Sequence, residues 1–172
     1  MKSSNKIMDI LNDIEYGFKI DNKNVLDDPT WDTDFNNFYY LQTPQELLNS
    51  KCGVCWDQVE LERELFTKDN VPFKTYFIYI DDNTQLPSHT FLIYENNNKY
   101  YWFEHSWFKY RGIHEYNSPK EVLEDIINKF KKDQELSNSY KLYLYEYNKP
   151  DYHIKCDDFY KFIETQKLII ER

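Results

Sequence analysis

The chain has 172 residues, the length of one domain at roughly 100–200 residues per domain. A chain of this length buries a core without a disulfide or structural metal. It is 41% hydrophobic and 19% aromatic, with only 3 Gly and 6 Pro, which excludes disordered, collagenous and low-complexity classes. Its formal net charge is -9 and its lysines and arginines are scattered. That lacks the electrostatic footprint of a nucleic-acid or anionic-membrane binder, so neither is expected as a partner.

Three cysteines, Cys52, Cys55 and Cys156, make a poor disulfide framework. Residues Met1 to Asp13 carry no apolar signal core, and no run reaches the roughly 20 apolar residues of a membrane span. The expectation is a soluble, cytoplasmic protein with reduced thiols.

In chain order, Ile7, Ile10, Leu11, Ile14 and Phe18 recur at helical spacing, with Gly17 near the stop. An irregular acidic and aromatic stretch is expected from Asp21 to Leu41. Thr43-Pro44-Gln45-Glu46 reads as a capping box with proline at the first helical position. That helix is short, because Ser50 to Gly53 breaks it. A second helix starts near Cys55 and runs to about Lys68. Phe73 to Ile80, His89 to Glu95 and Lys99 to Phe108 read as strands by their β-branched and aromatic content. Ser118-Pro119-Lys120-Glu121 opens another helix, with Val122, Leu123, Ile126, Ile127 and Phe130 inward. Tyr140 to Tyr147 is a fourth strand, and Asp157 is expected to cap a closing helix. Helices precede a mainly antiparallel sheet, so the fold class is α+β, as one domain over residues 1–172.

The chemistry concentrates in Lys51-Cys52-Gly53-Val54-Cys55-Trp56-Asp57. A thiol attacks as its thiolate, and the free N–H groups and dipole of a first helical turn favour negative charge there. Gly53 permits a tight entry turn that presents Cys55 in that position. Asp57, in the same turn, opposes a nearby thiolate. Cys52 precedes the helix and reads as structural.

The following hairpin supplies a base. A two-residue turn at Asn96-Asn97 puts His89 directly opposite Glu104, where a carboxylate holds the imidazole in one tautomer. A three-residue loop, Asn96 to Asn98, puts His89 opposite His105, and a turn at Asn97-Asn98 puts it opposite Ser106. Turn chemistry alone does not choose among the three. Cysteine, histidine and an orienting acid are the parts of an activated thiol nucleophile.

These residues resemble the transglutaminase-like superfamily, relatives of the papain-type cysteine proteases. Gly53-Val54-Cys55-Trp56 is similar to its nucleophile segment. Ser88-His89-Thr90-Phe91-Leu92-Ile93-Tyr94 is similar to its histidine strand, and Tyr101-Trp102-Phe103-Glu104 to the strand carrying the acid. The resemblance covers roughly Thr43 to Trp107. It implies a nucleophile helix packed on a mainly antiparallel sheet, with Cys55, His89 and Glu104 as the triad. The family usually has aspartate where Glu104 stands. Cys52 to Trp56 also resembles the papain signature, with Val54 where Ser or Ala is usual. The histidine of papain-like enzymes, however, lies about 130 residues downstream, and here the interval is much shorter.

The resemblance implies acyl transfer on an amide or peptide-like substrate through a thioester on Cys55, with helix-start N–H groups stabilising the oxyanion. Such chemistry requires no metal and no organic cofactor. Trp56, Gly53 and Trp102 are candidates for the substrate cleft, although core packing is the ordinary fate of a tryptophan. His114 reads as a surface loop residue. Two other classes are weighed against the enzyme. One is a non-catalytic binding module on the same fold. The other is a zinc site, formed from Cys52, Cys55, His153 and Cys156. A thioredoxin-like use of Cys52-x-x-Cys55 lacks the preceding strand it needs.

Overall fold

The computed structural model describes residues 2–83, 85–137 and 139–172. The fold is α+β, and its elements follow in chain order. The first half holds α1 (Lys2–Leu11), β1 (Lys19–Ile20), β2 (Lys23–Asn24), α2 (Trp31–Phe38), α3 (Pro44–Ser50) and α4 (Cys55–Lys68). Then come β3 (Phe73–Asp81), β4 (Ser88–Asn96), β5 (Lys99–Glu104), a 3₁₀ turn (Phe108–Tyr110) and β6 (Gly112–Tyr116). The chain closes with α5 (Pro119–Lys132), β7 (Lys141–Tyr147), α6 (Cys156–Glu164) and β8 (Lys167–Glu171).

Six strands form one antiparallel sheet in the order β6-β5-β4-β3-β7-β8. Strand alternation sends successive side chains to opposite faces, and each face has its own cover. Tyr76, Ile78, Phe91, Ile93 and Trp102 pack under Val122, Ile126, Ile127 and Phe130 of α5. Phe77 packs with Val59 and Trp56 of α4 and Phe159 of α6. Leu92 and Phe103 pack with Leu61 and Phe66 of α4 and Ile7 and Leu11 of α1.

The capping box before α3 forms: Glu46 N–H donates to the Thr43 hydroxyl (3.2 Å), and Thr43 N–H to the Glu46 carboxylate (2.7 Å). Lys51, at φ 51, ends the helix in the left-handed conformation. Several expectations are corrected. α1 stops at Leu11, before Asn12-Asp13, two residues that favour turns over helix interiors. Glu15 instead bridges to Cys52. The stretch from Asp21 to Leu41, expected to be irregular, holds β2 and α2. α2 buries none of its residues and offers mainly Trp31 and Phe35 to the core. β5 ends at Glu104, short of Phe108. His114, expected in a loop, lies in β6 opposite Trp102. α6 is preceded by Lys155, and Asp157 sits inside its first turn. Strand β8 had no counterpart among the expected elements.

Candidate active site

Cys55 opens α4 and is 5% exposed. The entry turn is held by Asp57, not by Val54, whose side chain cannot accept a hydrogen bond. One Asp57 carboxylate oxygen accepts Val54 N–H (2.9 Å). The other accepts Gln42 N–H (2.9 Å) and the Tyr39 hydroxyl (3.2 Å). Burial pushes the Asp57 carboxyl up to about 7, against the pull of those donors. Its carboxylate therefore turns back into the helix start as a cap. Gly53 is needed for space and not for a positive φ. A Cβ there would lie 2.4 Å from Leu47 Cδ1 and 2.9 Å from Asp57 Cβ. Gln58, one turn on, donates to Gly53 O (2.9 Å) and receives the His105 Nδ1–H (2.6 Å). That bond ties the nucleophile helix to the end of β5. Burial and the nearby Arg111 push His105 down to about 4, so it is neutral.

The hairpin register is the third of the three alternatives. Asn97 and Asn98 both have positive φ, 50° and 58°, and Asn96 pairs with Lys99. Leu92 pairs with Phe103, and continuing that register sets His89 opposite Ser106. The direct His89–Glu104 pairing expected from an Asn96-Asn97 turn is thus corrected to a diagonal one. Glu104 still reaches: its Oε2 lies 2.8 Å from His89 Nε2. Diagonal neighbours on one face are within reach of long side chains, and the extra methylene of glutamate supplies the reach. The other oxygen, Oε1, accepts Trp107 N–H (2.7 Å) and the Ser106 hydroxyl (3.1 Å).

His89 is 7% exposed and Glu104 2%. The Cys55 thiol is within hydrogen-bonding reach of the His89 imidazole. Burial works against a charged His89, but the Glu104 charge and hydrogen bonds to Cys55 and Glu104 outweigh it, holding the imidazole up at about 10. His89 and its hydrogen bonds in turn hold Glu104 below the usual carboxylate range, despite burial. Trp107 packs edge-on against His89, at 5.1 Å between ring centroids.

Cys55 opens onto a cavity of about 950 Å³. Its wall includes Tyr16, Trp31, Phe35, Trp56, Tyr79 and Tyr160, with carboxylates from Asp32, Asp81, Asp157 and Glu164. Trp56 is therefore at the cleft, stacked on Phe159 at 4.2 Å. Gly53 is not in the wall and acts beneath it. Trp102 is corrected: it is fully buried against α5 and is not among the lining residues. The zinc set does not assemble. Among the described residues no group of three or more His, Cys, Asp or Glu side chains is placed to hold a metal, and His153 pairs with Glu46 (3.0 Å). Burial, with Glu15 nearby, pushes Cys52 up to about 12, and burial with Asp157 pushes Cys156 up to about 11.

Three contributors had gone unassigned. Ser106 and Trp107 lie two and three residues after Glu104, and a hydroxyl and an N–H just beyond an acid were a legible hint. Tyr16 had no signal in the sequence. A family model described as a transglutaminase-like domain matches residues 1–131. The chain belongs to this transglutaminase-like family. No curated protein matches it. Among the described residues, no helix of this transglutaminase-like chain is long and apolar enough to cross a membrane.

Proposed function

We propose that the chain is a thiol-dependent acyl-transfer enzyme acting on amide or peptide bonds through a thioester on Cys55. The observation that carries this reading is the continuous link from Glu104 through His89 to Cys55 at the floor of an open cavity. An imidazolium beside a thiol at a helix start is the arrangement that activates cysteine. Cys55 gives its thiol proton to His89, Sγ then attacks the carbonyl carbon, and the C=O π pair moves onto oxygen. The tetrahedral intermediate collapses as His89 gives its proton to the leaving amine. Glu104 orients His89 and stabilises its charge, as the acid of a triad does. The second nucleophile then releases the acyl group: water gives hydrolysis and an amine gives transfer. Neither step needs a metal or organic cofactor.

The test is site-resolved alkylation with iodoacetamide from pH 5 to 9, read by mass spectrometry, on the wild type and on His89→Ala. The expected result is reaction at Cys55 at neutral pH that is much faster than at Cys52 or Cys156 and is lost without His89. A Cys55 that is inert, or that reacts like Cys52 and Cys156, overturns the enzyme and leaves a binding module on the same fold.

A further inference from the structure

The Tyr16 hydroxyl meets Cys55 in a way the triad does not use. Its backbone is clamped to the residues entering α4. Glu15 N–H donates to Lys51 O (3.0 Å), Gly53 N–H to Glu15 O (3.1 Å) and Gly17 N–H to Gly53 O (3.4 Å). Asn24 Nδ2 donates to Tyr16 O (3.1 Å). Gly17, at φ +142°, turns the chain away at once, a conformation few side chains adopt. The position of Tyr16 is therefore fixed relative to the nucleophile. The residue is 38% exposed and lines the cavity. Its hydroxyl, though, is tucked within hydrogen-bonding reach of both the Cys55 thiol and the Cys55 main-chain N–H.

We propose that Tyr16 is a catalytic residue, its O–H pairing with the Cys55 N–H as the two donors of the oxyanion hole. This rests on the acyl-transfer reading above. The Cys55 N–H belongs to the first helical turn, whose N–H groups have no partner within the helix. In the resting site it lies within reach of the Tyr16 oxygen. When Sγ bonds to the carbonyl carbon, the new O⁻ takes over that N–H, and the phenol turns its own O–H onto the same oxygen. No proton is transferred in this step. Both donors release when the C=O bond re-forms and the amine departs with the proton from His89. The phenol keeps its proton throughout, because burial and the neighbouring Cys55 and Asp57 hold it well above 10.

Two reactions separate this role from a structural one. Acylation of Cys55 by p-nitrophenyl acetate passes through an oxyanion, and alkylation by iodoacetamide does not. In Tyr16→Phe the acylation rate should fall at least about tenfold, toward the 10²–10³-fold typical of losing one oxyanion donor. Alkylation of the same sample should stay close to the wild-type rate, which also reports that the site is folded. Equal acylation of the variant and the wild type overturns the role of Tyr16 and leaves the enzyme reading standing. A parallel loss of both reactions also overturns it, since Tyr16 then acts only by holding the thiol. If the ester does not acylate the wild type faster than Cys55→Ser, the acyl-transfer reading falls, and this proposal with it.

Discussion

Glutamate at the acid position is explained by geometry. His89 faces Ser106 in the extended register, and Glu104 meets it along the diagonal at 2.8 Å. Shortening the side chain by one methylene withdraws the carboxylate by about 1.5 Å, beyond hydrogen-bonding distance. Glu104→Asp, the residue the family usually has, should therefore lower Cys55 alkylation at pH 6 to 7 by about tenfold or more. A rate at or above wild type would show that aspartate reaches His89 after all. Glu104→Gln tests the charge itself. His89 rises from 6.5 to about 10 on folding. Its stabilisation is thus fully present below pH 6.5 and is lost as pH rises through 10. Urea unfolding should show the variant weaker by about 1–3 kcal/mol at pH 6, with the gap closing above pH 10. The three triad candidates were legible because each sits on a locally readable device, a helix start or a hairpin. The register was not, because Asn96, Asn97 and Asn98 all tolerate positive φ and only the folded turn selects two of them. Tyr16 was illegible for a different reason: it is placed by the backbone pairing of its neighbours Glu15 and Gly17 with Lys51 and Gly53, which no side-chain pattern encodes.

At the scale of the element, α4 is held at its start by packing and a buried acid. Gly53→Ala forces a Cβ against Leu47 and Asp57, two side chains already buried. Overpacking of this kind costs typically 1–3 kcal/mol. Thermal unfolding should show that loss, and Cys55 alkylation should slow with it as the entry turn shifts. Asp57→Ala removes the acceptor of three donors and should also destabilise, by about 1–3 kcal/mol. The Asp57 carboxyl rises from 3.8 unfolded to about 7 folded, so the contribution of this group to stability is lost as pH rises from 4 through 7. The alanine variant should show a flatter profile over that window, measured by the urea midpoint. Elements with their own signals were legible: the capping box of α3, the proline start of α5, the aromatic strands β3, β4 and β7. Those missed lack such signals. α2 buries no residue, and β6 and β8 are short and half exposed. β6 and β8 form because β5 and β7 present edges to pair with, and β2 pairs with β1.

Over the whole molecule, the net charge of -9 is not evenly relevant to the chemistry, because part of it faces Cys55. Asp32, Asp81, Asp157 and Glu164 line the cavity. Lys161, the one lysine of that wall among the described residues, is paired with Asp158 at 3.0 Å. Trp31, Phe35 and Trp56 add aromatic surface, whose faces also attract cations. A cleft lined by one sign of charge concentrates ligands of the other by about 10-fold or more. Two methanethiosulfonates that differ only in charge, one trimethylammonium and one sulfonate, put this to a test at Cys55. The ratio of their rates, divided by the same ratio for free 2-mercaptoethanol, should exceed about ten in dilute buffer. It should fall toward one as salt is raised from 0.01 M to 1 M, where the Debye length shrinks from about 30 Å to 3 Å. Asp32→Asn with Asp157→Asn should lower the dilute-buffer ratio without touching the groups assigned to acyl transfer. A ratio already near one in dilute buffer would mean that the imidazolium of His89, directly beside the thiol, cancels the field of the wall. The acidity of the chain would then govern its solubility and not what reaches the nucleophile.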